Sequence, residues 1–331
     1  MQSETKTIGI VPLLAVLALA LAVWSFLLGP TDLSPAALFA GLCDGNDTAG
    51  IVAREIRLPR AVLALLVGAA LGGSGAALQG LFRNPLAEPG VTGVTASAGL
   101  GAVCALYFGL TAFSPLVLPG LAITGALAAA GILFLLSRRG IGTVGLILAG
   151  VAVSSLATAL TALALSLSHN PYAMSEMMLW LMGSLKDRTL SDVAYALPLV
   201  AAGLSLIAFA ARGLDALSLG EDAARSLGID VARVRLLVIL GTALATGAAT
   251  AAAGSIGFVG LVVPHLLRPV CGYRPARLIV PSALGGAALV LAADIAVRLI
   301  APNGQLLLGV VTALIGAPFF FRLIVEMRGR E

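Results

Sequence analysis

The fold is decided by long apolar runs, of which residues 58–82, LPRAVLALLVGAALGGSGAALQGLF, are the clearest. No charged residue lies between Arg60 and Arg83, and about 20 consecutive apolar residues are enough for an α-helix to cross a bilayer. Of the 331 residues, 59% are hydrophobic and 11% are charged, and the mean hydropathy is +1.05. Soluble domains carry about 25% charged residues. The sequence therefore predicts an all-α polytopic membrane protein and excludes a soluble domain.

Further apolar runs of this kind predict about ten transmembrane helices in all. The first run is longer than the ~7–15 apolar residues of a signal peptide, so we expect it to be a retained span. The runs use most of the chain, and we therefore expect residues 1–331 to form a single transmembrane domain. They cover residues 8–28, 58–82, 91–108, 114–137, 141–168, 191–211, 232–254, 256–270, 277–299 and 306–325.

The basic residues predict the orientation of these spans. If the N-terminus is cytoplasmic, most of the 20 Lys and Arg residues fall in cytoplasmic loops, as the positive-inside rule requires. Both termini are therefore expected in the cytoplasm. The cytoplasmic group is Lys6, Arg83, Arg138, Arg139, Arg212, Arg225, Arg233, Arg235, Arg268, Arg274, Arg277, Arg322, Arg328 and Arg330; the external group is Arg54, Arg57, Arg60, Lys186, Arg188 and Arg298.

Small residues and a weak internal similarity indicate how the helices pack. The 39 glycines predict close approach of helix backbones. Residues 60–82 resemble residues 235–258, because each stretch begins with a basic residue and continues as a Gly/Ala-rich span. The first stretch starts outside and the second inside, so the similarity predicts an inverted repeat, which is common in transporters.

Arginines on the external side of the second span oppose the positive-inside trend. They are Arg57 and Arg60, with Arg54 nearby, and Arg298 ends the ninth span on the same side. One interpretation is that they anchor helix ends by snorkelling; the other is that they form a docking patch for an acidic partner. Asp294 precedes Arg298 by four residues, so we expect these two to form an ion pair.

Two cytoplasmic segments carry further polar patterns. Residues 83–90 contain two prolines and end in glycine, which predicts a fixed turn that either reverses the chain or closes the inner mouth of a pathway. In residues 212–235 we expect a short helix from Glu221, with Gly228 at its C-cap, and a second helix capped by Asp230. This helix pair is either a solvated connector or a docking element for a cytosolic protein.

The sequence contains no residue pattern suited to covalent chemistry. The three cysteines, Cys43, Cys104 and Cys271, are odd in number and far apart, which excludes a disulfide framework. The two histidines, His169 and His265, lack companions at metal-ligand spacing, and the basic residues form no stripe for nucleic acid. We therefore expect a protein that is not an enzyme, with no catalytic residues, metal site or cofactor of its own and no nucleic-acid partner.

Together these features resemble one family, the membrane-spanning permeases of ABC importers for ferric siderophores, haem and cobalamin. The resemblance covers the chain from about residue 50 onward, and the motifs follow the family's order. They are Arg57-Leu-Pro-Arg60, Gln79 through Asn84-Pro-Leu-Ala-Glu-Pro89, Leu219-Gly-Glu through Leu227-Gly228, Ile256-Gly-Phe-Val-Gly-Leu-Val-Val-Pro-His265, Asp294 through Arg298, and Gly309-Val-Val-Thr-Ala-Leu-Ile-Gly-Ala-Pro-Phe319.

The resemblance implies a permease subunit in the cytoplasmic (inner) membrane of a bacterium, paired as a homodimer around a pathway lined by the fifth and tenth helices. Two cytosolic ATPase subunits would hold ATP and Mg, and a periplasmic or lipid-anchored substrate-binding protein would deliver cargo. By motif, the resemblance assigns docking of the binding protein to Arg57, Arg60 and Arg298. It assigns coupling to the ATPase to Leu219, Gly220, Glu221, Ala224, Leu227 and Gly228. It assigns the cytoplasmic gate to Asn84, Leu86 and Thr143, although the sequence around Thr143 departs in part from the family pattern.

The implied function is ATP-driven import of a large metal chelate from periplasm to cytoplasm by alternating access. One alternative is an ion-coupled secondary transporter, which we disfavour because the charges lie at helix ends rather than near the midplane. A membrane-embedded enzyme would need a nucleophile, base or metal set that the sequence lacks. Ferric siderophore, haem and cobalamin all stay open as the cargo, because the Met and aromatic residues of segment 169–180 are typical of packing and interface belts.

Overall fold

The structure is a computed structural model that describes residues 2–43, 47–301 and 306–328, and within these ranges it consists of helices and their connecting turns. A π-helical segment, Val52–Arg57, leads directly into α4, and 3-10 turns cover Pro89–Thr92 and Leu110–Ala112. The prediction of an all-helical chain is confirmed for these residues. The helices are α1 (Gln2–Leu27), α2 (Pro35–Gly41), α3 (Thr48–Ile51), α4 (Leu58–Phe82), α5 (Val94–Tyr107), α6 (Val117–Arg138), α7 (Thr143–Leu167), α8 (Pro171–Leu181), α9 (Leu190–Leu217), α10 (Glu221–Ser226), α11 (Val231–Ala253), α12 (Val259–Leu267), α13 (Pro275–Ile300) and α14 (Leu308–Arg328).

Seven helices of the described ranges are long and apolar enough to cross a bilayer: α1, the continuous helix Thr48–Phe82, α6, α7, α9, α11 and α13. The predicted runs 91–108 and 256–270 contain shorter helices, α5 with 14 residues and α12 with 9. At 1.5 Å per residue they cover about 21 and 14 Å, less than the ~30 Å hydrocarbon core. The helices are shorter than the runs because Gly93 (φ 81°) and Phe258 (φ 66°), the residues just before α5 and α12, adopt positive φ angles and delay the start of each helix.

The buried centre of the bundle is formed by α4, α11 and α13. In their most apolar stretches 78%, 78% and 67% of the residues are buried, against 17% in α1. Glycine makes this packing possible, because a Cβ on Gly68 would overlap the backbone at Gly286, and a Cβ on Gly72 would overlap the carbonyl oxygen of Ser282. The close helix packing predicted from small residues is therefore present where α4 crosses α13.

The glycine contacts also fix the directions of the central helices. Gly73 and Gly80 of α4 approach Leu204 and Leu214 of α9 in ascending order, so these two helices are parallel. Positions 203 and 213 of α9 meet positions 241 and 234 of α11 in descending order, so that pair is antiparallel. Helices α4 and α11 consequently run in opposite directions, and each is followed by a short helix. This is the arrangement that an inverted repeat requires.

The bundle has two ends with different chemistry. We call the end that carries Arg57 and the terminus of α1 the Arg57 end, and the opposite end, which carries α10, the Glu221 end. Residues 83–90 were expected to form a turn at the cytoplasmic face. A turn is present directly after α4, where the Ala87 N–H donates to the Asn84 carbonyl oxygen, but the chain then enters the bundle. Pro89 lies beside Gly260, and Gly260 in turn lies beside Leu71 of α4. Leu71 is 11 residues, or about 16 Å along the helix, from Phe82 at the end of α4.

Candidate functional site

At the Arg57 end, Arg57 is buried and bound to the end of α1. Its side chain is 3% exposed, and Nη1 donates to the carbonyl oxygen of Leu27 at 2.7 Å. Nη2 donates to the carbonyl and hydroxyl oxygens of Thr31 at 2.9 and 3.0 Å. The last carbonyl groups of a helix lack intrahelical partners, so a cation placed here satisfies them and complements the helix dipole. Arg57 therefore acts as a tertiary C-cap of α1.

Arg60 and Arg298 share one carboxylate, that of Asp294. Arg60 donates to both Asp294 oxygens from Nε at 3.1 Å and to Oδ1 from Nη2 at 2.8 Å. Arg298 Nη2 lies 3.0 Å from Asp294 Oδ2, so the ion pair expected from the four-residue spacing is confirmed. Arg298 also donates from Nη1 to the carbonyl oxygens of Ser25 and Leu28 in α1 and its end. The Asp294 side chain is 1% exposed, which makes this a buried, charge-assisted network.

A cavity of about 630 Å³ opens beside this network, and Arg60, Asp294 and Arg298 form part of its lining. Exposed Lys186 and half-buried Arg188, from the turn between α8 and α9, also line it. The structure thus brings the three predicted docking arginines together at one end. Arg60 and Arg298 face the cavity with side chains 18% and 13% exposed, whereas Arg57 lies behind them against α1.

At the Glu221 end, the predicted short helix is present as α10. Its C-cap at Gly228 and the N-cap of the next helix at Asp230 lie where the sequence predicted them. Leu227 ends the helix, Gly228 has φ 79°, and the N–H groups of Gly228 and Ile229 donate to the carbonyl oxygens of Arg225 and Ala224. These are the two hydrogen bonds of a Schellman motif, so the C-cap prediction for Gly228 is confirmed. The Asp230 side chain accepts the N–H of Arg233, as expected for the N-cap of α11.

Helix α10 is anchored to the bundle, while the two leucines that flank it are exposed. Ala224 is fully buried, and Glu221 pairs with Arg235, which also reaches Ser137 of α6. Leu219 and Leu227, by contrast, are 69% and 64% exposed. Gly220, with φ 109°, forms the turn from α9 into α10. Helix α9 runs to Leu217 rather than to 211, so the predicted segment 212–235 contains the end of α9, α10 and the start of α11.

The predicted gate residues lie on segments that pack together. Asn84 Oδ1 accepts the N–H of Leu86 at 2.9 Å, which fixes the turn after α4, and both residues are half-buried. The following 3-10 turn packs against α7 at Gly150, and Ser154 Oγ donates to the carbonyl oxygen of Gly90 at 3.1 Å. Thr143 begins α7, seven residues or about 10 Å along the helix before Gly150. The gate assignment stays a prediction.

One polar residue of this segment was missed as a candidate. Glu88 is half-buried beside Pro89, inside the bundle, and it accepts a hydrogen bond from the N–H of Phe258 at the start of α12. A carboxylate at a helix N-terminus satisfies an unpaired N–H and complements the dipole. The sequence argument that charges lie only at the ends of the bundle overlooked this position, because the depth of residues 83–93 depends on contacts with Gly260.

The two histidines lie apart from these sites. His265 stacks edge-on against Phe319 of α14, with ring centroids 5.7 Å apart, and His169 precedes α8. Among the described residues, no cluster of three or more His, Cys, Asp or Glu side chains is arranged to hold a metal ion.

Comparison with known proteins places these features in a family. The model of the FecCD transport family matches residues 16–326. The chain is 43% identical over 277 residues to the Fe(3+) dicitrate transport system permease protein FecD of Escherichia coli, covering 84% of this chain and 86% of that one. It is 40% identical to the vitamin B12 import system permease protein BtuC of Klebsiella pneumoniae, with 83% of each chain covered. For the hemin transport system permease protein HmuU of Yersinia pestis the identity is 39%, with 86% of each covered.

A solved structure shares the fold as well. It is described as an inward-facing conformation of a metal-chelate type ABC transporter, and it matches with a TM-score of 0.84 and 32% sequence identity. The match covers 96% of this chain and 99% of the solved one. The resemblance inferred from the motifs at residues 57–60, 84–89 and 256–265 is therefore confirmed, and this chain belongs to the FecCD transport family.

Proposed function

We propose that this chain is the permease subunit of an ATP-driven ABC importer that carries a metal chelate across the cytoplasmic membrane of a bacterium. The observation that carries the proposal is the segment around α10, which is anchored to the bundle through Ala224 and Glu221 while the flanking Leu219 and Leu227 are exposed. The other end of the bundle holds a cavity lined by four basic and three acidic side chains. A transporter driven by a separate ATPase needs such a firm contact on one face and a site for cargo delivery on the other. The relatives named for ferric dicitrate, vitamin B12 and hemin support the cargo class.

In this proposal the chain crosses the membrane ten times, and both termini and the Glu221 end are cytoplasmic. The positive-inside rule supports this orientation. The short helices α5 and α12 complete their crossings together with residues 83–93 and 254–258. Such non-helical backbone is tolerated at membrane depth when it is buried within protein. Pro89, packed against Gly260, meets that condition.

The complete transporter would contain two copies of this permease, two cytosolic ATPase subunits and a substrate-binding protein outside. The pathway would run between the copies, along α7 and α14, and each of these helices leaves apolar side chains exposed in the single chain. ATP and Mg would be held by the ATPase, and closure of the ATPase pair would move α10. Because α10 is tied to α11 and α6 through Glu221, Arg235 and Ser137, its displacement would be transmitted to the spans.

The cavity at the Arg57 end is the proposed docking site for acidic residues of the binding protein. Lys186 and Arg188 provide accessible positive charge beside the exposed carboxylates of Glu55 and Asp187, and Arg60 and Arg298 add positive charge deeper in the cavity. Arg57 would contribute indirectly, by holding the end of α1 in place, since its guanidinium is already bound to Leu27 and Thr31.

Replacing the two basic residues of the turn between α8 and α9, Lys186→Glu with Arg188→Glu, is expected to weaken binding of the substrate-binding protein about tenfold or more at low salt. The reason is that attraction between complementary charges is replaced by repulsion. Lys186→Glu alone should leave the melting temperature unchanged, because Lys186 is exposed. The half-buried Arg188 donates to the Ser184 carbonyl oxygen at 3.4 Å, so the melting temperature of the double variant is measured beside its affinity. Surface plasmon resonance on the reconstituted permease measures this affinity. The control is Arg138→Glu with Arg139→Glu, two exposed arginines at the other end. Equal affinities for both double variants would contradict the docking site.

The proposed function is tested in vesicles that contain the permease with or without its ATPase subunit. Uptake of labelled ferric citrate, haem or cobalamin, delivered by the binding protein, should require both the ATPase and ATP. Leu219→Ser with Leu227→Ser is expected to lower ATPase co-purification and uptake at least tenfold, because two exposed apolar contacts are lost while the buried Ala224 is untouched.

The matched control is Leu190→Ser, which removes an exposed leucine from the start of α9 at the Arg57 end. This variant should keep normal ATPase binding and transport. Uptake that continues in vesicles without the ATPase, driven by a proton or sodium gradient, would favour the ion-coupled alternative and overturn the proposal.

A further inference from the structure

Residues 254–258, which connect α11 to α12, contact three parts of the protein that have different proposed roles. We call these five residues the connector. One contact is with the turn between α8 and α9, residues 182–189, which contributes to the lining of the cavity at the Arg57 end. The second is with α14, on the proposed pathway. The third is with Glu88, in the segment that follows the proposed gate residues.

The connector packs directly against the turn between α8 and α9. The N–H of Ser184 donates to the carbonyl oxygen of Ala253, the last residue of α11, at 2.7 Å. Gly183 adopts φ 72°, and a Cβ on it would overlap the carbonyl oxygen of Ser255 in the connector. Leu185 is 1% exposed, so it anchors the turn in the bundle. A displacement of the turn would therefore displace the connector as well.

Helix α14 begins against both the turn and the connector. The N–H of Gly309 donates to the carbonyl oxygen of Gly183 at 3.4 Å. A Cβ on Gly309 would overlap the carbonyl oxygen of Met182 and would lie 2.7 Å from that of Ser255. Backbone thus meets backbone at this contact, and no flexible side chain lies between the three segments to absorb a movement.

Phe258, the last residue of the connector, joins α14 to the segment after α4. A Cβ on Gly316 of α14 would overlap the Phe258 side chain, and the Phe258 N–H donates to Glu88. Phe258 adopts φ 66°, which bulky residues rarely do and which persists only where the surroundings hold it. Glu88 follows Asn84 and Leu86 closely in the chain, so the connector is also bonded to the segment of the proposed gate.

We propose that the connector is the relay that transmits docking of the binding protein at the Arg57 end to α14 and to the gate segment. This inference rests on the proposed function, because it requires docking on the turn and a pathway along α14. Closely packed interiors transmit displacement, since they contain few voids that could absorb it. Gly309 and Glu88 are positioning residues in this relay, and neither lines the cavity at the Arg57 end.

The first test compares Gly309→Ala with Gly257→Ala in vesicles that contain the permease and its ATPase. ATP hydrolysis is measured with and without the binding protein, loaded with whichever of ferric citrate, haem and cobalamin it carries into the vesicles. Gly309→Ala is expected to lower the stimulation of hydrolysis about fivefold or more, because the new methyl group forces α14 away from the turn. Gly257→Ala should keep full stimulation, since a Cβ on this connector residue would meet nothing within 4 Å.

The affinity of the binding protein separates transmission from docking. Surface plasmon resonance without nucleotide should give the same affinity for Gly309→Ala as for the unchanged permease. The turn is held by Ser184 and Leu185, so α14 rather than the turn should give way. A parallel loss of affinity and stimulation in Gly309→Ala would show damage to the docking site and would overturn the relay.

The second test compares Glu88→Ala with Glu88→Gln. Alanine removes the acceptor of the Phe258 N–H, whereas glutamine keeps an oxygen acceptor on a side chain of nearly the same size. We expect Glu88→Ala to lower the stimulation about fivefold or more and Glu88→Gln to keep about half of it or more. A residue that only stabilised the fold would change the melting temperature and the yield, but not the ratio of stimulated to unstimulated hydrolysis. This pair decides the question if Gly309→Ala does not assemble.

Three outcomes would contradict the relay: full stimulation in Gly309→Ala, an equal loss in Gly257→Ala, or equal stimulation in the two Glu88 variants. The unchanged transporter tests the proposed function separately. Uptake by the unchanged permease without its ATPase would overturn the function itself. ATP-driven uptake by the unchanged transporter, together with normal stimulation of Gly309→Ala, would overturn the relay alone.

Discussion

Replacing the buried Asp294 by asparagine is expected to lower the free energy of unfolding by about 3 kcal/mol, because it leaves two half-buried arginines without their carboxylate. Arg60 and Arg298 both lie within 3.1 Å of this side chain, which is 1% exposed. An asparagine of nearly the same size keeps the packing but loses the charge. Arg298 would keep its bonds to the end of α1, whereas Arg60 would keep only the neutral amide oxygen as an acceptor in place of two charged oxygens.

Thermal unfolding in detergent measures this effect, and we expect the apparent melting temperature to fall by roughly 5–10 °C. The matched control is Asp187→Asn, which removes a carboxylate from the same cavity at an exposed position. Asp187 adopts φ 57°, a conformation that asparagine tolerates well, so this variant should unfold like the original protein. Similar melting temperatures for the two variants would show that the buried network does not stabilise the bundle.

The network also changes how the docking arginines are interpreted. The sequence left two roles open for Arg57, Arg60 and Arg298: anchoring helix ends or docking a partner. In the structure Arg57 and Arg298 hold the end of α1, which is anchoring by tertiary capping rather than by snorkelling. Arg60 and Arg298 additionally face the cavity, which leaves them available for the proposed docking role.

Features that depend on neighbours in the chain were predictable from the sequence. The apolar runs fixed most of the helices, and the spacing of Asp294 and Arg298 predicted their ion pair. The caps at Gly228 and Asp230 followed from local preferences of glycine and aspartate. Each of these involves residues within one or two helical turns of each other.

Features that depend on distant contacts were not predictable. Arg60 and Asp294 are 234 residues apart, and Arg57 and Leu27 are 30 apart, so a single sequence carries no signal that pairs them. The entry of residues 83–93 into the bundle was missed for the same reason, because it depends on the fit between Pro89 and Gly260. Prolines and glycines predicted a turn there but not its depth in the membrane.

The second prediction concerns the stability of the crossing between α4 and α13. Gly72→Ala is expected to lower the free energy of unfolding by about 3 kcal/mol or more, because the new methyl group would overlap the Ser282 carbonyl oxygen and lie 3.2 Å from the Gly286 Cα. Both obstacles are backbone atoms, so no side chain can rotate away. Relief would require the two central helices to separate, which would also disturb the neighbouring contact of Gly68 with Gly286.

Gly131→Ala is the matched control, since Gly131 lies within α6 and a Cβ there would meet nothing within 4 Å. Alanine favours a helix over glycine by about 1 kcal/mol, so this variant should unfold at the same or a slightly higher temperature. The same chemical change is thus expected to have opposite signs at the two sites. If Gly72→Ala also left the melting temperature unchanged, the axes of α4 and α13 would have to lie farther apart than the structure places them, and small residues would no longer explain why the buried centre can form.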